Sequence, residues 1–238
     1  MNENEIASTK SKWRRCLFLM LIILCPGCWS GGIRQVKSVE IVENSTPLQH
    51  PAWETFASGF AIDWMTFDGA GYLWTASKDG DGVRQWDLVA GTCVKHRPEH
   101  GLPGSRVMGL STSGDGSVWV ATRDGVANFK EGTWISYSLD ELPIEKIWDI
   151  AGGPSHTVWV AGSDIAYFDG TTWVNRASDV WVESIAVDDD GVGWGTLGAG
   201  FAKFEGEQWV SVSNERIRQI AIAPDGIIWG LLFDGSEL

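Results

Sequence analysis

Tryptophan recurs in this chain at a spacing that few folds accommodate. Trp74, Trp119, Trp159, Trp194 and Trp229 stand 45, 40, 35 and 35 residues apart. Three positions before each lies Gly71, Gly116, His156, Gly191 or Gly226, and Asp115, Asp190 and Asp225 directly precede three of those glycines. Asp-Gly between two apolar runs marks a tight hairpin, because glycine tolerates positive φ and aspartate ties back to the backbone. Self-similarity at this period means a repeated supersecondary unit that buries its apolar face only against its neighbours.

Each unit reads as four short strands. An apolar run precedes every turn, at residues 62–67, 107–112, 147–151, 182–187 and 217–222. The Trp strand follows, as in SVWVAT at 117–122 and TVWVA at 157–161. A third run is led by glycine in three of its four copies: GVRQW (82–86), GVANF (125–129), DIAYF (164–168) and GFAKF (200–204). The fourth enters through a polar turn to Trp134, Trp173 or Trp209, with Cys93 in that slot of the longer first copy. No window carries a helical i, i+3, i+4, i+7 stripe, and Gly or Pro interrupts nearly every segment, which excludes helical repeats. The expected class is all-β: a β-propeller of about five four-stranded blades, with N- and C-terminal strands closing the ring.

The unit, clearest in GDGSVWVATRDGV at 114–126, resembles the two-component-regulator propeller repeat over about residues 53–238. Propellers of that family often form the extracytoplasmic sensor of a membrane histidine kinase. No kinase or response-regulator region is found in this sequence, so the resemblance implies a sensor that works through a partner. A propeller hosts many activities, so the repeat speaks to fold before function.

Closure of the ring is the open point. Pro51-Ala-Trp53-Glu-Thr-Phe56 matches the fourth-strand Trp slot, whereas the last clear feature, around Trp229, is a second strand. An N-terminal strand finishing the C-terminal blade removes exposed edges. The third strand of that blade is then unaccounted for. Either the closing blade has three strands, or the chain is cut short, or the β-rich stretch at 33–42 (IRQVKSVEIV) supplies the strand.

The start of the chain reads as an address. Lys10, Lys12, Arg14 and Arg15 precede an apolar run at 16–25 that is short for a membrane span, which is signal-peptide chemistry. It ends in Leu24-Cys25-Pro26-Gly27-Cys28, similar to a bacterial lipobox, so residues 1–28 are expected as signal and Cys28 as the lipidated first residue. The alternatives are ordinary cleavage near Gly27 or Ser30, or an uncleaved anchor. Residues 29–52 then form a tether, and Cys93 is left as an unpaired, small buried apolar residue without a disulfide framework. Without the signal, 14 basic residues face 29 acidic ones. That excess disfavours nucleic acid and anionic membrane surfaces as partners.

Chemistry is sparse. The sequence holds no G-x-S-x-G, no H-E-x-x-H and no CxxC pair, and it calls for no cofactor or metal. His96, Glu99 and His100 lie in a Pro-containing interblade loop and are expected to be solvated, as is the Asp188-Asp189-Asp190 turn. A sialidase-type Asp box would place its acid five residues before the Trp; here it stands four before.

A binding face is easier to locate. In a propeller the first strand is innermost, and its start lies at one mouth of the channel. Counting back from each repeat Trp, position −8 holds only small residues, as a crowded axis requires. Position −10 reads Trp64, Gly109, Asp149, Ser184 and Gln219, and position −11 reads Asp63, Met108, Trp148, Glu183 and Arg218. Indole plates rimmed by Asp63, Asp149, Glu183, Arg218 and Gln219 suit a glycan, a peptide or a partner protein. The alternative is that Trp64 and Trp148 pack between blades and the charges face water. The five repeat Trp are core on either view. The sequence thus points to a non-catalytic binding or sensing propeller on an exported, lipid-anchored protein. The runner-up is a propeller-type lyase or glycosidase, which needs a His or paired carboxylates converging at the mouth.

Overall fold

Glycine turns and period-2 alternation fold each repeat into an antiparallel meander. The structure is a computed structural model that describes residues 33–34, 61–176, 181–198 and 200–232. The expected signal peptide with Cys28, the tether apart from residues 33–34, and the Trp53 strand lie outside the described residues.

Blade 1 comprises β2 (Trp64–Phe67), β3 (Leu73–Ala76), β4 (Val83–Asp87) and β5 (Thr92–His96). Blade 2 holds β6 (Val107–Thr112), β7 (Val118–Thr122), β8 (Gly125–Lys130) and β9 (Thr133–Ser138). Blade 3 holds β10 (Ile147–Gly152), β11 (Val158–Gly162), β12 (Ile165–Phe168) and β13 (Trp173–Asn175). Blade 4 holds β14 (Val182–Val187), β15 (Gly193–Leu197), β16 (Gly200–Glu205) and β17 (Gln208–Ser213). Each pairs in sequence order. The fifth sheet is β18 (Ile217–Ile222), β19 (Ile228–Leu232) and β1 (Ile33–Arg34), with Ile33 opposite Leu231 and Arg34 opposite Gly230. An N-terminal strand therefore occupies the third place of the C-terminal blade; residues 35–42 lie outside the described residues.

The core lies between blades. Trp74 packs on Phe129 of the next blade (ring centroids 4.9 Å apart), Trp119 on Phe168 (5.4 Å) and Trp159 on Phe204 (5.3 Å). The fourth-strand Trp of that next blade meets the first two edge-on: Trp134 on Trp74 and Trp173 on Trp119. Trp74, Trp119 and Trp159 are thus each covered by the blade that follows. Trp74, Trp119 and Trp159 are buried, whereas Trp194 and Trp229, expected in the core, are only half-buried.

Two further expectations are corrected. His96 is not a solvated loop residue: it ends β5 and stacks on Trp74 at 5.1 Å, and Tyr137 of β9 stacks on Trp119 at the same place one blade on. Trp134 Nε1 donates to His96 Nδ1 (3.1 Å), and His96 Nε2 lies 3.4 Å from Gln85 Oε1, so the neutral ring satisfies both contacts. Cys93 is exposed, because it stands on the outermost strand of its blade, where no further strand covers it.

The carboxylates that grip the repeat Trp stand six residues before them, not four. Asp68 Oδ2 accepts Trp74 Nε1 at 2.9 Å, and Asp188 Oδ2 accepts Trp194 Nε1 at 2.9 Å. The Oδ1 atom of each also takes two turn N–H groups, so one side chain closes the hairpin and satisfies the indole N–H. Ser113 serves Trp119 at 3.2 Å. Blade 3 has Gly153 in that place, and the buried Trp159 Nε1 has no partner among the described residues.

Candidate functional site at the mouth of the inner strands

Residue 3 of β6, β10 and β18 resumes pairing after one residue has been skipped. Val107 and Gly109 oppose Thr122 and Ala121, Ile147 and Asp149 oppose Gly162 and Ala161, and Ile217 and Gln219 oppose Leu232 and Leu231. Met108, Trp148 and Arg218 are therefore β-bulge residues. In β14 the irregularity spans Glu183 and Ser184. A bulged residue leaves the ladder and its side chain is re-aimed: Met108 packs against the core between blades 2 and 3, whereas Arg218 is exposed.

The neighbouring column has a different fate in each blade. Asp149 Oδ1 accepts the N–H of Ile150 (2.9 Å) and Oδ2 accepts the N–H of Ile185 in blade 4 (3.0 Å). A Cβ on Gly109 of blade 2 would lie 3.2 Å from Asp149 Oδ1. The carboxyl is thus wedged between blades 2 and 4. Burial there pushes its pKa up to about 6, although hydrogen bonds from Ile185, Ile150 and Ser184 pull the other way. Ser184 is buried beside it. This layer holds blades together and offers little to a ligand.

The remaining predicted residues are dispersed. Asp63 is held by Lys78 (3.2 Å) and by the Lys78 backbone N–H (3.0 Å). Trp64 packs onto the blade 1–2 core with Lys78 Nζ 6.0 Å from its ring centre. Glu183, Arg218 and Gln219 are exposed. Trp148 meets Trp181, which precedes β14, edge to face at 5.8 Å and 74°. Trp181 is 70% exposed and forms an aromatic ledge from blade 3 to blade 4. Sequence reasoning missed it. The available signal was a Trp outside every repeat slot, in register with Arg106, Lys146 and Arg216, each one residue ahead of an inner strand.

At the hairpin end of the same strands, a recess of about 360 Å³ is lined by Ser113, Gly153, Pro154 and Asp188, among others. Beside it Asp115 accepts Ser113 Oγ (2.8 Å), Ser117 Oγ (2.7 Å) and Lys130 Nζ (2.9 Å), and faces His156 Nδ1 at 2.8 Å. Burial alone would raise this carboxyl; the bonds from Lys130, Ser117 and Ser113 outweigh it and hold Asp115 far below the usual carboxylate range. Ser117 and Asp115 both address Nδ1 of His156, which is not the relay geometry of a nucleophilic serine. Among the described residues no group of three or more His, Cys, Asp or Glu is arranged to hold a metal.

No family model matches the chain, and no curated protein matches it in sequence. Solved structures do. Virginiamycin B lyase from Staphylococcus aureus matches at 14% identity and TM-score 0.55, over 71% of this chain and 62% of that one. The extracellular domain of a hybrid two-component system from B. thetaiotaomicron matches at 17% and 0.59, over 77% of this chain and 27% of that one. YCF48 bound to D1 peptide matches at 15% and 0.53, over 72% and 60%. The chain is a β-propeller. It spans less than two thirds of the length of each of these structures, and such identities carry the fold alone.

Proposed function

We propose that this protein is a non-catalytic binding or sensing propeller, exported and anchored by lipid on Cys28, that receives a glycan, peptide or partner protein at the mouth of its inner strands. The observation that carries this reading is the Trp148–Trp181 ledge: a large indole left 70% exposed at a channel mouth, braced by a second indole on the preceding blade. A non-catalytic role is supported by the commitments of His96 and Asp149, two of the candidate acid–base groups. His96 is engaged by Trp134 and Gln85, and both oxygens of Asp149 accept backbone N–H groups.

The test is a Trp148→Ala, Trp181→Ala double variant of the full chain, screened beside the parent on glycan and peptide arrays. The variant keeps the parent's denaturation midpoint and loses the parent's hits. Retained hits send the site elsewhere. Mass spectrometry of the mature N-terminus checks the lipid on Cys28; an unmodified cysteine there removes the anchor from the proposal.

A further inference from the structure

We infer that the ligand of this mouth is a carboxylated glycan, lying along an arc in which the Trp148–Trp181 ledge is flanked by unpaired cations on both sides. The inference rests on the mouth being the binding site. On blade 2, the N–H of Arg123 donates to the carbonyl of Arg106 at 3.0 Å, so two guanidinium side chains leave from one point of the rim. On blade 3, Lys146 holds the matching place, bonded through its carbonyl to the N–H of Ser163 (3.2 Å). Blade 4 substitutes Trp181, and on blade 5 Arg218 is the bulged residue. Arg106, Arg123, Lys146 and Arg218 are exposed and enter no ion pair among the described residues. By contrast, Lys130 and Lys203, toward the hairpin end, are both paired with carboxylates.

Unpaired cations are conspicuous in a chain of net charge −13. The rim is nevertheless mixed in sign, since Glu145, Glu183 and Glu215 are exposed along it while Asp63 is neutralised by Lys78 and Asp149 is turned inward. The net charge of −13 repels every polyanion alike, so the indole ledge and the separate rim cations, not the overall charge, carry the choice of ligand. A uronate chain carries one carboxylate per ring, each able to take a charge-assisted bond from Arg or Lys, and presents flat apolar ring faces to indole.

The test is calorimetric titration of the full chain with hexagalacturonate and hexamannuronate, against cellohexaose and hexaglutamate. A uronate hexamer binds, weakens with added salt, and binds at least about tenfold more tightly than cellohexaose, the gain of one charge-assisted contact or more. Arg106→Gln with Arg123→Gln, and separately Arg218→Gln, each lower uronate affinity about fivefold or more, with unchanged denaturation midpoints. Cellohexaose binding as tightly as the uronates, and lost with Trp181→Ala, overturns the charge class and leaves the mouth standing. Tighter binding of hexaglutamate overturns the glycan in favour of an acidic peptide. Unaltered uronate binding in the arginine variants, or none to the parent, overturns the inference; the array screen with the Trp variants separately decides the mouth.

Discussion

Asp149 of blade 3 accepts the backbone N–H of Ile185 of blade 4 at 3.0 Å, and this bond joins two inner strands that share no ladder. Its cost and benefit depend on protonation. The folded pKa lies near 6 against an ordinary 3.8, so the folded state binds the proton more tightly than the unfolded chain. Ionisation therefore opposes folding above pH 6, and that penalty disappears as pH falls toward 4. The shift corresponds to about 3 kcal/mol at neutral pH. We expect this site to favour stability on acidification from pH 7 to 5, and an Asp149→Asn variant to lack that gain when urea midpoints are compared at the two pH values.

His96 acts in the opposite direction. Burial lowers its pKa from 6.5, with the positive charge of His100 adding to the effect, so folding favours the neutral ring. Its stabilising contribution is present above pH 6.5 and is lost as pH falls through that value toward the lowered folded pKa. Tyr137 fills the same slot one blade on, so His96→Tyr keeps the aromatic wedge and removes the acid-linked loss. The variant gives up the acceptor for Trp134 Nε1, at about 1 kcal/mol near pH 8. Urea midpoints from pH 8 to 5 should show a smaller acid-dependent loss for the variant than for the parent; equal slopes would sink the assignment.

The hairpin carboxylates predict a matched pair of effects. Asp68→Ala removes the acceptor of two turn N–H groups and of the buried Trp74 indole, and should cost about 2–3 kcal/mol. Blade 3 lacks that acceptor at Gly153, and a Cβ there would meet the Thr157 hydroxyl at 2.5 Å. Gly153→Asp with Thr157→Val copies the Asp188 and Val192 of blade 4 and should raise stability by about 1 kcal/mol, read as a higher guanidinium midpoint. A lower midpoint would mean that Trp159 Nε1 has no deficit to repair.

Glycine leads the third run for a reason the sequence could only suggest. Gly125 sits at φ +148°, and a Cβ on it would overlap the carbonyl of Tyr137 on the neighbouring strand. That atom is backbone within a ladder and cannot step aside. Gly125→Ala should cost about 3 kcal/mol or more, measured by thermal unfolding. A midpoint within a degree of the parent would show that the ladder can yield.

Strand order, hairpin positions and blade count were legible because they rest on local chemistry repeated in phase. An Asp-Gly turn and a Trp slot mean the same thing in every copy, and five copies reinforce one register. The candidate site was legible only in outline. The variable columns were visible, but Trp148 and Asp149, adjacent in sequence, part company at a bulge: one extends the exposed ledge and the other turns inward onto blade 4. No local pattern reveals a bulge.

What the sequence determined by itself is therefore the repeating unit: four strands, their turns, and a large indole on the face that the next blade covers. Tertiary structure alone decided which of the remaining residues are covered. His96 became a buried wedge because the β8 and β9 aromatics of blade 2 close over it, and Trp181 became half of a ledge because Trp148 of blade 3 reaches it. Burial in a propeller is a property of two adjacent blades, so residues between repeat slots take their roles from neighbours some forty positions away.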